Sequence, residues 1–404
     1  MSKKALGIVL PDEWSVARLA DISDVRDGTH DSPKYLESGI PFITSKNLKN
    51  GKLDFTTCNF ISEEDHRKFS ERSNVQNGDI IFGMIGTLGS PVIVDTDFEF
   101  SIKNVALIKF NNTQLFNQYM KYLLDSTLVQ REFERISDGG VQKFISLSTI
   151  RSLQIPIPPL KEQQKIAEIL SSVDAAIEKT EQVIAKTEEI KKGLMQQLLT
   201  KGIGHTEFKQ TELGEIPVEW EIKNLVEVAV LTMGQSPSSE DCNEDGQGLV
   251  FFQGCSEFGD KYPIPKKYCT NPRKRASKGD ILISVRAPVG DLNIAHIECA
   301  IGRGLAAIDP INIDRDYLFY YFKLYKDQWQ RIQQGSTFSA INKNDLESVL
   351  VPCPPKDEQM LIVSKLLTLD KKLEIETEQL DSLQILKKGL MQQLLTGQVR
   401  VKVD

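Results

Sequence analysis

The sequence predicts an α+β protein in which the same kind of unit occurs twice, each unit a variable domain followed by a long helix. Two observations predict this: an internal repeat with an offset of 196 residues, and a sustained heptad pattern in both copies of the repeat. A third is the alternation of short β-branched runs with Gly, Asn and Asp turns in the variable domains. We therefore expect two domains of mixed sheet and helix, separated by two long helices that form an intramolecular antiparallel coiled coil.

Length and composition set limits on this prediction. At 404 residues the chain exceeds one ordinary domain, and its 40% hydrophobic and 26% charged residues are typical of globular proteins. A net charge of −7 excludes a protein whose whole surface coats nucleic acid, but it leaves room for a local basic patch. No apolar run reaches the ~18 residues of a membrane-spanning helix, and no signal-peptide core follows the N-terminus, so we expect a cytoplasmic protein.

Sequence motifs of metal sites and of common enzymes are missing. The six cysteines include no CxxC pair and the four histidines are scattered singly, so we expect free thiols and no zinc site. The motifs GxxxxGK[ST], GxGxxG, GxSxG and HExxH do not occur, and neither does an NPPY-like box of an amino-methyltransferase. These absences favour a protein without catalytic residues.

The repeat is strongest at the end of each copy. Residues 191–200 and 387–396 share the sequence KKGLMQQLLT, and the alignment extends without a gap back to the proline-rich segments at 156–159 and 352–355. Upstream, LPDEW at 10–14 resembles IPVEW at 216–220. The predicted division is a first variable domain at 1–154, a helix at 155–201, a linker at 202–215, a second variable domain at 216–350 and a helical region at 351–404.

Both strongly similar stretches predict long helices, because they contain mostly Glu, Lys, Gln, Leu and Ile after their opening prolines. Their apolar residues recur with a period of 3.5, which indicates a coiled-coil seam. Thr180 and Glu376 fall on this seam and are candidate register-setting defects. The apolar seam positions are Ile166, Leu170, Val173, Ile177, Ile184, Leu194, Leu198, Ile362, Leu366, Leu369, Leu373, Leu380, Leu383, Leu390 and Leu394.

Two arrangements of these helices are open. Each helix can pack on its own domain, or the two can pair with each other. Equal lengths and matching seams favour pairing within one chain, in the antiparallel sense. Residues 161–201 carry seven basic and seven acidic side chains, which is typical of a structural helix and gives no basic stripe for phosphates.

The variable domains predict short strands in a mainly antiparallel sheet, with an aromatic helix and a Gly loop at the end of each domain. The helices are expected near 116–135 and 317–334. The strands are expected at 40–44, 79–82, 91–94 and 106–110 in the first domain and at 249–252, 280–285 and 305–308 in the second.

Basic and polar loops in these domains are the candidate nucleic-acid contacts. Residues 266–278 hold six Lys or Arg and no acid, which fits a phosphate-contact patch, although a solvated loop has the same composition. The other loops mix Gly with Lys, Asn, Thr and His, as base-reading loops and ordinary turns both do. The candidate DNA-binding residues are Thr29, His30, Lys46, Asn47, Lys49, Gln142, Lys143, Lys266, Lys267, Arg273, Lys274, Arg275, Arg286, Ser336 and Thr337.

The combination of motifs resembles the specificity subunit of a type I restriction–modification system over essentially the whole chain. Each variable domain is followed by a PxPPxxEQ helix opener and a KKGLMQQLLT tail. The motifs Asp27-Gly28-Thr29-His30, Gly78-Asp79-Ile80-Ile81, Gly279-Asp280-Ile281-Leu282 and TELGEIP at 211–217 complete the pattern. One departure is that the first copy opens with MSKKALGIVLPDEW and lacks the fuller TELGEIP form, which makes its N-terminal packing harder to predict.

The resemblance implies a DNA-reading subunit without catalysis of its own. Each variable domain would be a target recognition domain for half of a bipartite, asymmetric site in double-stranded DNA. The paired helices would set the unread gap and dock two methyltransferase subunits. Those partners would use S-adenosylmethionine to methylate adenine, and restriction subunits would use ATP and Mg²⁺ to cleave DNA, while this chain would bind no cofactor.

Two other functions are compatible with parts of the sequence. A standalone methyltransferase or nuclease is disfavoured by the missing motifs, and binding of S-adenosylmethionine by the isolated chain would revive it. A coiled-coil adaptor that binds proteins through its globular domains would not retain DNA in a sequence-specific way.

Overall fold

The computed structural model describes residues 4–85, 89–110, 114–136, 144–326, 329 and 340–403. The chain divides into two compact units: the first consists of Met1–Glu181 and Glu378–Asp404, and the second of Gln182–Thr377. The division falls inside both long helices, so each unit combines one variable domain with part of each helix. Within the described ranges, no helix is both long and apolar enough to cross a membrane.

The first unit contains a variable domain that opens and closes with paired strands. Its elements, before the first long helix, are β1 (Lys4–Ala5), β2 (Ile8–Val9), β3 (Ser15–Arg18), α1 (Leu19–Ile22), β4 (Asp24–Asp27), β5 (Ile40–Ile43), β6 (Leu48–Lys49), β7 (Lys52–Leu53), β8 (Asn59–Ile61), α2 (Glu63–Arg72), β9 (Ile80–Gly83), β10 (Gly89–Ile93), β11 (Ser101–Ile102), β12 (Val105–Lys109), α3 (Asn117–Asp125), α4 (Thr127–Ile136), α5 (Leu147–Ser152) and β13 (Gln154–Ile157). The long helix α6 (Leu160–Lys201) follows.

The second unit begins and ends in the same way, but among its described residues α2 has no counterpart, and two short strands precede β22 in its place. Its elements are β14 (Phe208–Thr211), β15 (Gly214–Pro217), β16 (Glu221–Asn224), α7 (Leu225–Val228), β17 (Ala229–Met233), β18 (Cys242–Asn243), β19 (Leu249–Phe252), β20 (Lys267–Cys269), β21 (Arg275–Ala276), β22 (Ile281–Ser284), β23 (Leu292–Ile294), β24 (Cys299–Ile301), β25 (Leu305–Pro310), α8 (Arg315–Leu324), α9 (Lys343–Glu347) and β26 (Leu350–Cys353). The second long helix, α10 (Lys356–Leu395), follows.

Each variable domain contains an antiparallel four-stranded sheet and a second sheet with one parallel pair. The four-stranded sheets have the orders β10-β9-β12-β4 and β17-β25-β22-β23. The second sheets are β11-β5-β8 and β18-β20-β19-β24-β21, with β11 parallel to β5 and β24 parallel to β19. A further antiparallel pair, β3 with β13 and β16 with β26, brings the end of each domain back to its beginning. The α+β class and the internal repeat are therefore confirmed.

The central strands are apolar throughout because both of their faces are buried. In the first domain Ile80 and Ile108 pack with Tyr119 of α3, whereas Ile81 and Leu107 belong to a second apolar cluster, with the strands of the other sheet. A strand with two buried faces reads as a continuous apolar run, which is the pattern that identified these segments in the sequence.

The PxPPxxEQ segments join each domain to its helix through a glutamate, which is buried in the first unit and partly buried in the second. Trp14 Nε1 donates to Glu162 at 3.1 Å in the first unit, and Trp220 Nε1 donates to Glu358 at 2.9 Å in the second. Both tryptophans are completely buried. Glu162 also accepts a hydrogen bond from Arg400 Nε at 2.7 Å, so the C-terminal segment contributes to the first unit.

The long helices pair in antiparallel fashion within each unit. In the first unit, Glu162 contacts Arg400 beyond the end of α10, and Asp174 forms an ion pair with Lys387 at 2.7 Å. As the residue number rises along α6 it falls along α10, which confirms the expected antiparallel coiled coil. The second unit has the same sense, since Lys191 pairs with Asp370.

Burial along α10 follows the heptad pattern. Between positions 371 and 390, the residues that are not fully exposed are Leu373, Glu376, Leu380, Leu383, Lys387 and Leu390, and all six lie on the seam. In α6 the two seam threonines are buried, and each hydroxyl donates to a carbonyl one turn back: Thr180 to Ala176 at 2.9 Å and Thr187 to Val183 at 2.7 Å. The seam therefore tolerates these polar residues without leaving a hydroxyl unbonded.

The two Gly-Asp motifs place a buried carboxylate at the start of β9 and β22, but with different partners. Asp79 forms an ion pair with the buried Lys109 at 2.8 Å. In the second unit the register puts Asp309 at the position of that lysine, so Asp280 has a second acid as its neighbour. Burial, together with the charge of Asp309, raises the pKa of Asp280 to about 6, although the Ser277 N–H that it accepts opposes this shift.

Four expected boundaries differ from the structure. The C-terminal helix expected at 351–404 spans Lys356–Leu395, since β26 occupies Leu350–Cys353. The helix expected near 116–135 is divided at Ser126, which is extended, into α3 and α4. The helix expected to begin at 155 starts at Leu160, since β13 occupies the preceding residues. The linker expected at 202–215 contains β14 and the first residues of β15, which form a hairpin.

Candidate nucleic-acid interface

One end of the first domain collects polar residues from several strands. The chain leaves β4 through Gly28, whose N–H donates to Val105 O at 2.9 Å, and Thr29 N–H then donates to Ile102 O at 3.0 Å. Lys103 N–H in turn donates to Ile43 O, at the end of β5. These bonds bring residues 28–30, 44–46 and 103–104 together. We call this group, with Ile85 and Phe144, the first strand-end surface.

His30 is held in a fixed orientation on this surface. Its Nε2 lies 3.1 Å from Asp27 Oδ2 and its Nδ1 lies 2.7 Å from Asn104 Oδ1. Asp27 is buried and also accepts two hydrogen bonds from Arg72, at 2.9 and 2.6 Å. The His30 side chain nevertheless keeps 56% of its area exposed, so one face of an oriented ring is available to a ligand.

The equivalent end of the second domain is more basic. Gly234 N–H donates to Leu305 O at 2.9 Å and Gln235 N–H donates to Ile301 O at 3.0 Å, which repeats the pattern of Gly28 and Thr29. The side chain of Ser236 bonds to Gln253, and the N–H of Arg303 donates to Ser236 Oγ at 3.3 Å. The second strand-end surface consists of Gln235, Ser236, Gln253, Lys266, Lys274, Arg286 and Arg303.

Both surfaces also include the described residues directly before the last short helix of each domain. Ile145 N–H donates to Met84 O at 3.0 Å in the first domain, and Ile341 N–H donates to Val285 O at 2.9 Å in the second. Phe144 is bridged to Ile85, and Ala340 to Arg286. The two domains therefore present different side chains on the same backbone framework.

Glycines make the close approach of these loops possible. A Cβ on Gly302 would lie 2.7 Å from Gln253 Oε1, and one on Gly234 would lie 2.1 Å from Gly302 O. Both distances are shorter than real Cβ contacts, so a larger residue at Gly234 would separate the ends of β17 and β24, and one at Gly302 would separate the ends of β24 and β19. The GRG triplet at 302–304, which the sequence presents as an ordinary turn, thus carries the exposed Arg303 between two tightly packed glycines.

The structure divides the first domain's candidate residues into available and unavailable side chains. Lys46 is exposed, whereas Lys49 is exposed but forms an ion pair with Asp54 at 2.6 Å. Thr29 is buried, and its hydroxyl accepts from Asp31 N–H. Asn47 is also buried, and the expectation that it contacts DNA needs correction.

The Asn47 amide serves a turn. Its Oδ1 accepts from the N–H and the hydroxyl of Thr44, both at 3.0 Å, and its Nδ2 donates to Asp54 O at 3.1 Å. All of these partners belong to the chain itself. Asn47 therefore fixes the loop that presents Lys46, and its own amide does not face a ligand.

The basic stretch 266–278 lies along β20 and β21. Two of its lysines, Lys266 and Lys274, belong to the second strand-end surface. Lys274 O accepts from Ile301 N–H, directly before Arg303, and Lys266 precedes the strand that pairs with β19. Arg275 forms an ion pair with Glu298 at 3.1 Å. Among the described residues, no ion pair involves Lys266, Lys267, Arg273, Lys274 or Arg286. These cations are exposed and free to bind phosphate.

Four candidates, Gln142, Lys143, Ser336 and Thr337, lie outside the described residues. Lys103, Asn104, Gln253 and Arg303 also lie on these surfaces but were not among the candidates. Gln253 directly follows the strand expected at 249–252 and Arg303 lies between two glycines, whereas no predicted strand precedes Lys103 and Asn104. Across the described ranges, no group of three or more His, Cys, Asp or Glu side chains is arranged to hold a metal ion.

Comparisons with known proteins agree on one family. The model of the type I restriction modification DNA specificity domain matches residues 11–189 and again residues 217–384. The MjaX specificity subunit of a type I restriction enzyme of Methanocaldococcus jannaschii is 37% identical over 97% of this chain and 95% of its own length. The MjaVIII specificity subunit of the same organism is 27% identical over 99% of this chain and 96% of its own length.

Solved structures show the same architecture. A chain from a structural study of complex assembly in a type I R-M system has a TM-score of 0.62 at 27% identity, covering 96% of this chain and 99% of that one. The HsdS subunit of Thermoanaerobacter tengcongensis has a TM-score of 0.51 at 26% identity, covering 96% of this chain and 98% of its own.

Proposed function

Since the chain belongs to the family of type I restriction–modification specificity subunits, we propose that it reads a bipartite, asymmetric DNA site, one half with each variable domain. The observation that carries this proposal is the pair of strand-end surfaces, which share backbone hydrogen bonds and differ in side chains. Two domains with the same backbone framework and different side chains would bind two different half-sites.

The side chains favour different base contacts in the two halves. The first surface offers His30, Asn104 and Lys103, and the second offers Arg286, Arg303 and Gln253. Arginine pairs well with guanine, and asparagine or glutamine with adenine, through the major groove. The free cations at 266–274 would supply phosphate contacts that position the second reader.

The helices would set the gap between the half-sites. Each is a single uninterrupted helix, with 42 residues in α6 and 40 in α10, and each runs directly from its own domain. At 1.5 Å per residue, each is about 60 Å long. Such a length can hold two readers about one turn of DNA apart, ~34 Å, on one face of the duplex.

The same helices would dock two methyltransferase subunits. Ile190 and Leu386 occupy equivalent places directly before the identical tails, and each is 49% exposed. Three residues on, Gly193 and Gly389 have open space where a Cβ would be, although glycine inside a helix costs ~1 kcal/mol. An exposed apolar residue beside an exposed glycine, present twice, fits two copies of one partner that approach the helix backbone closely.

We assign the chemistry to the partner subunits. The modification subunits would bind S-adenosylmethionine and methylate adenine, and restriction subunits, where they are present, would use ATP and Mg²⁺. This chain would direct them to DNA without binding a cofactor itself.

Sequencing of methylated adenines tests the two-reader proposal. The chain is expressed with its methyltransferase subunit in a host without adenine methylation, and the expected pattern is two fixed half-sites separated by a fixed gap. The double variant Arg286→Ala, Arg303→Ala should relax the second half-site and leave the first unchanged. If the sequence preference of both half-sites is relaxed, or of neither, the proposal that each domain reads its own half-site is refuted.

A heptad insertion tests the spacer role. Seven residues added at matching places in α6 and α10 should change the gap and leave both half-sites as they were. Altered half-sites with an unchanged gap would contradict the role of the helices.

Co-purification tests the docking surface. The double variant Ile190→Glu, Leu386→Glu should lose the methyltransferase subunits. The matched control is Ile375→Glu, because Ile375 is 52% exposed on α10 but has a lysine, Lys179, at the equivalent place in α6. Equal loss of binding in both variants would show that general helix damage, and not this surface, is responsible.

A further inference from the structure

Three side chains link the first domain to both long helices. Tyr122 of α3 donates its hydroxyl to Asp174 Oδ2 of α6 at 2.7 Å. Lys387 of α10 forms an ion pair with the other oxygen of that carboxylate, also at 2.7 Å. The Lys387 ammonium lies 5.9 Å from the centre of the Tyr122 ring, within range of a cation–π interaction. We call these three residues the first link.

The second unit contains the same arrangement, built independently. Tyr320 of α8 donates to Asp370 Oδ2 of α10, and Lys191 of α6 forms an ion pair with Asp370 Oδ1. Lys191 lies 6.0 Å from the centre of the Tyr320 ring. In this second link the roles of the helices are exchanged, so each aspartate pairs with the lysine of the other sequence copy.

Both links are shielded from water in part. The exposed fraction of the side chain is 35% for Asp174 and 25% for Lys387, and it is 32% for Asp370 and 17% for Lys191. Burial and the bond to the carboxylate raise the pKa of both tyrosines, so the hydroxyls remain protonated donors. Charges in such places are costly to leave without a partner.

The apolar seam by itself does not define one alignment of α6 and α10. If one helix slides by seven residues along the other, apolar seam positions face apolar seam positions again. Most of the apolar contacts between the helices are therefore restored in the shifted register. In the observed alignment, the sequence numbers of two residues that face each other add up to 561. Asp174 with Lys387 and Asp370 with Lys191 are two such pairs. A shift of seven changes this sum to 554 or 568.

Either shift would destroy both links together. Asp174 would face Leu380 or Leu394 in place of Lys387. Asp370 would face Ile184 or Leu198 in place of Lys191. Two half-buried carboxylates would thus lose their cations and meet apolar side chains. Single polar positions in coiled coils select register in the same way, at some cost in stability.

We propose that the two links fix the register of α6 against α10 and thereby fix the length of the unread DNA gap. This inference rests on the proposed function, in which the helices set that gap. Asp174, Lys387, Asp370 and Lys191 are positioning residues, since they would act on DNA recognition only through the helices. The chain between α6 and β14, six residues at ~3.3 Å each, is long enough to absorb the ~10 Å of a seven-residue shift.

The test replaces the carboxylates in two ways. Asp174→Leu with Asp370→Leu removes the part of the penalty of the shifted registers that comes from the two links, while the part from separating Arg400 from Glu162 remains. Asp174→Asn with Asp370→Asn keeps a polar group and an acceptor for each tyrosine, so the penalty persists. The matched control is Glu168→Leu, which removes an exposed carboxylate that pairs with Lys165 of the same helix.

Each variant is expressed with the methyltransferase subunit, and the methylated adenines are sequenced. For the leucine pair we expect unchanged half-sites and a second class of gap about three base pairs different, since ~10 Å is about three steps of DNA. Its share of methylation should rise roughly tenfold over the wild type. The asparagine pair and Glu168→Leu should keep the wild-type gap.

The outcomes separate this inference from the proposed function. A wild type without two half-sites would refute the proposed function itself. A normal wild type, with a lower Tm but an unchanged gap in the leucine pair, would mean that the links only add stability, and the inference would be overturned. If the leucine pair does not fold, Lys191→Met with Lys387→Met provides the same test, since it removes the cation, with its ion pair and its cation–π contact, from each link.

Discussion

The buried Asp280 gives the sharpest prediction for stability: Asp280→Asn should stabilise the second unit above pH 6. An acid whose pKa is raised to about 6 in the folded state binds its proton more tightly there than in the unfolded chain. Below the unfolded value, near 3.8, the group is protonated in both states and has no effect. As the pH rises from 3.8 to about 6, the unfolded chain ionises while the folded carboxyl keeps its proton, so stability falls across this range; above it folding must bury a charge and the loss is complete.

The magnitude follows from the difference between the two pKa values. A shift of about two units corresponds to about 3 kcal/mol at pH 8, at ~1.4 kcal/mol per unit. Asp280 is only 7% exposed, so little of this is screened by water. The asparagine amide keeps an oxygen that can accept the Ser277 N–H, now 2.8 Å from the carboxylate. We therefore expect a gain of about 2–3 kcal/mol at pH 8 and almost none at pH 4.

Urea unfolding at pH 4, 6 and 8, followed by tryptophan fluorescence, measures this effect, because Trp220 and Trp329 both lie in the second unit. The matched control is Asp79→Asn in the first unit. That change leaves Lys109, which is 3% exposed, without its carboxylate, and it should cost about 3–5 kcal/mol. A gain for Asp280→Asn that does not depend on pH, or a loss at pH 8, would refute the reasoning.

Three further predictions concern the C-terminus, a turn and the DNA surface. Arg400→Met should lower the stability of the first unit by about 3 kcal/mol in thermal unfolding, because it leaves the buried Glu162 without a cation; an unchanged Tm would contradict this. Asn47→Ala should cost about 1–2 kcal/mol in urea unfolding but leave the methylated half-sites unchanged, since its amide bonds only within the chain. Arg286→Ala and Arg303→Ala should each weaken DNA binding and relax the base preference of the second half-site, whereas a fall in the salt slope of about one with an unchanged base preference would show phosphate contact and contradict base reading.

Local periodicity explains what could be predicted from the sequence. The heptad steps and the repeated KKGLMQQLLT tails predicted both long helices, because helical side-chain order depends only on spacing along the chain. The strand expected at 249–252 was confirmed as β19, since a strand buried on both faces gives a continuous apolar run.

Properties that depend on distant residues could not be predicted in this way. Asn47 has the composition of a DNA-reading loop, yet its amide is used by Thr44 and by Asp54 O, which are identified only by the folded turn. Arg303 looked like part of a turn because its neighbours are glycines, and only the pairing of β19 with β24 places it beside Gln253. Asp79 has a cation as its partner and Asp280 has an acid as its neighbour. This difference likewise depends on which residue of the adjacent strand is paired with each aspartate.

The unequal division of the chain has a consequence for synthesis on the ribosome. The second unit is one continuous segment, Gln182–Thr377, whereas the core of the first unit includes Leu394 and Leu395, packed in the same cluster as Trp14 and Ile166. At ~5–20 residues per second, the roughly 200 residues between the two parts of the first unit take about 10–40 s to translate. The N-terminal domain is therefore made first and completed last. A stop codon placed before Leu394 should therefore damage the first domain, although that domain is the one farthest from the stop codon in sequence.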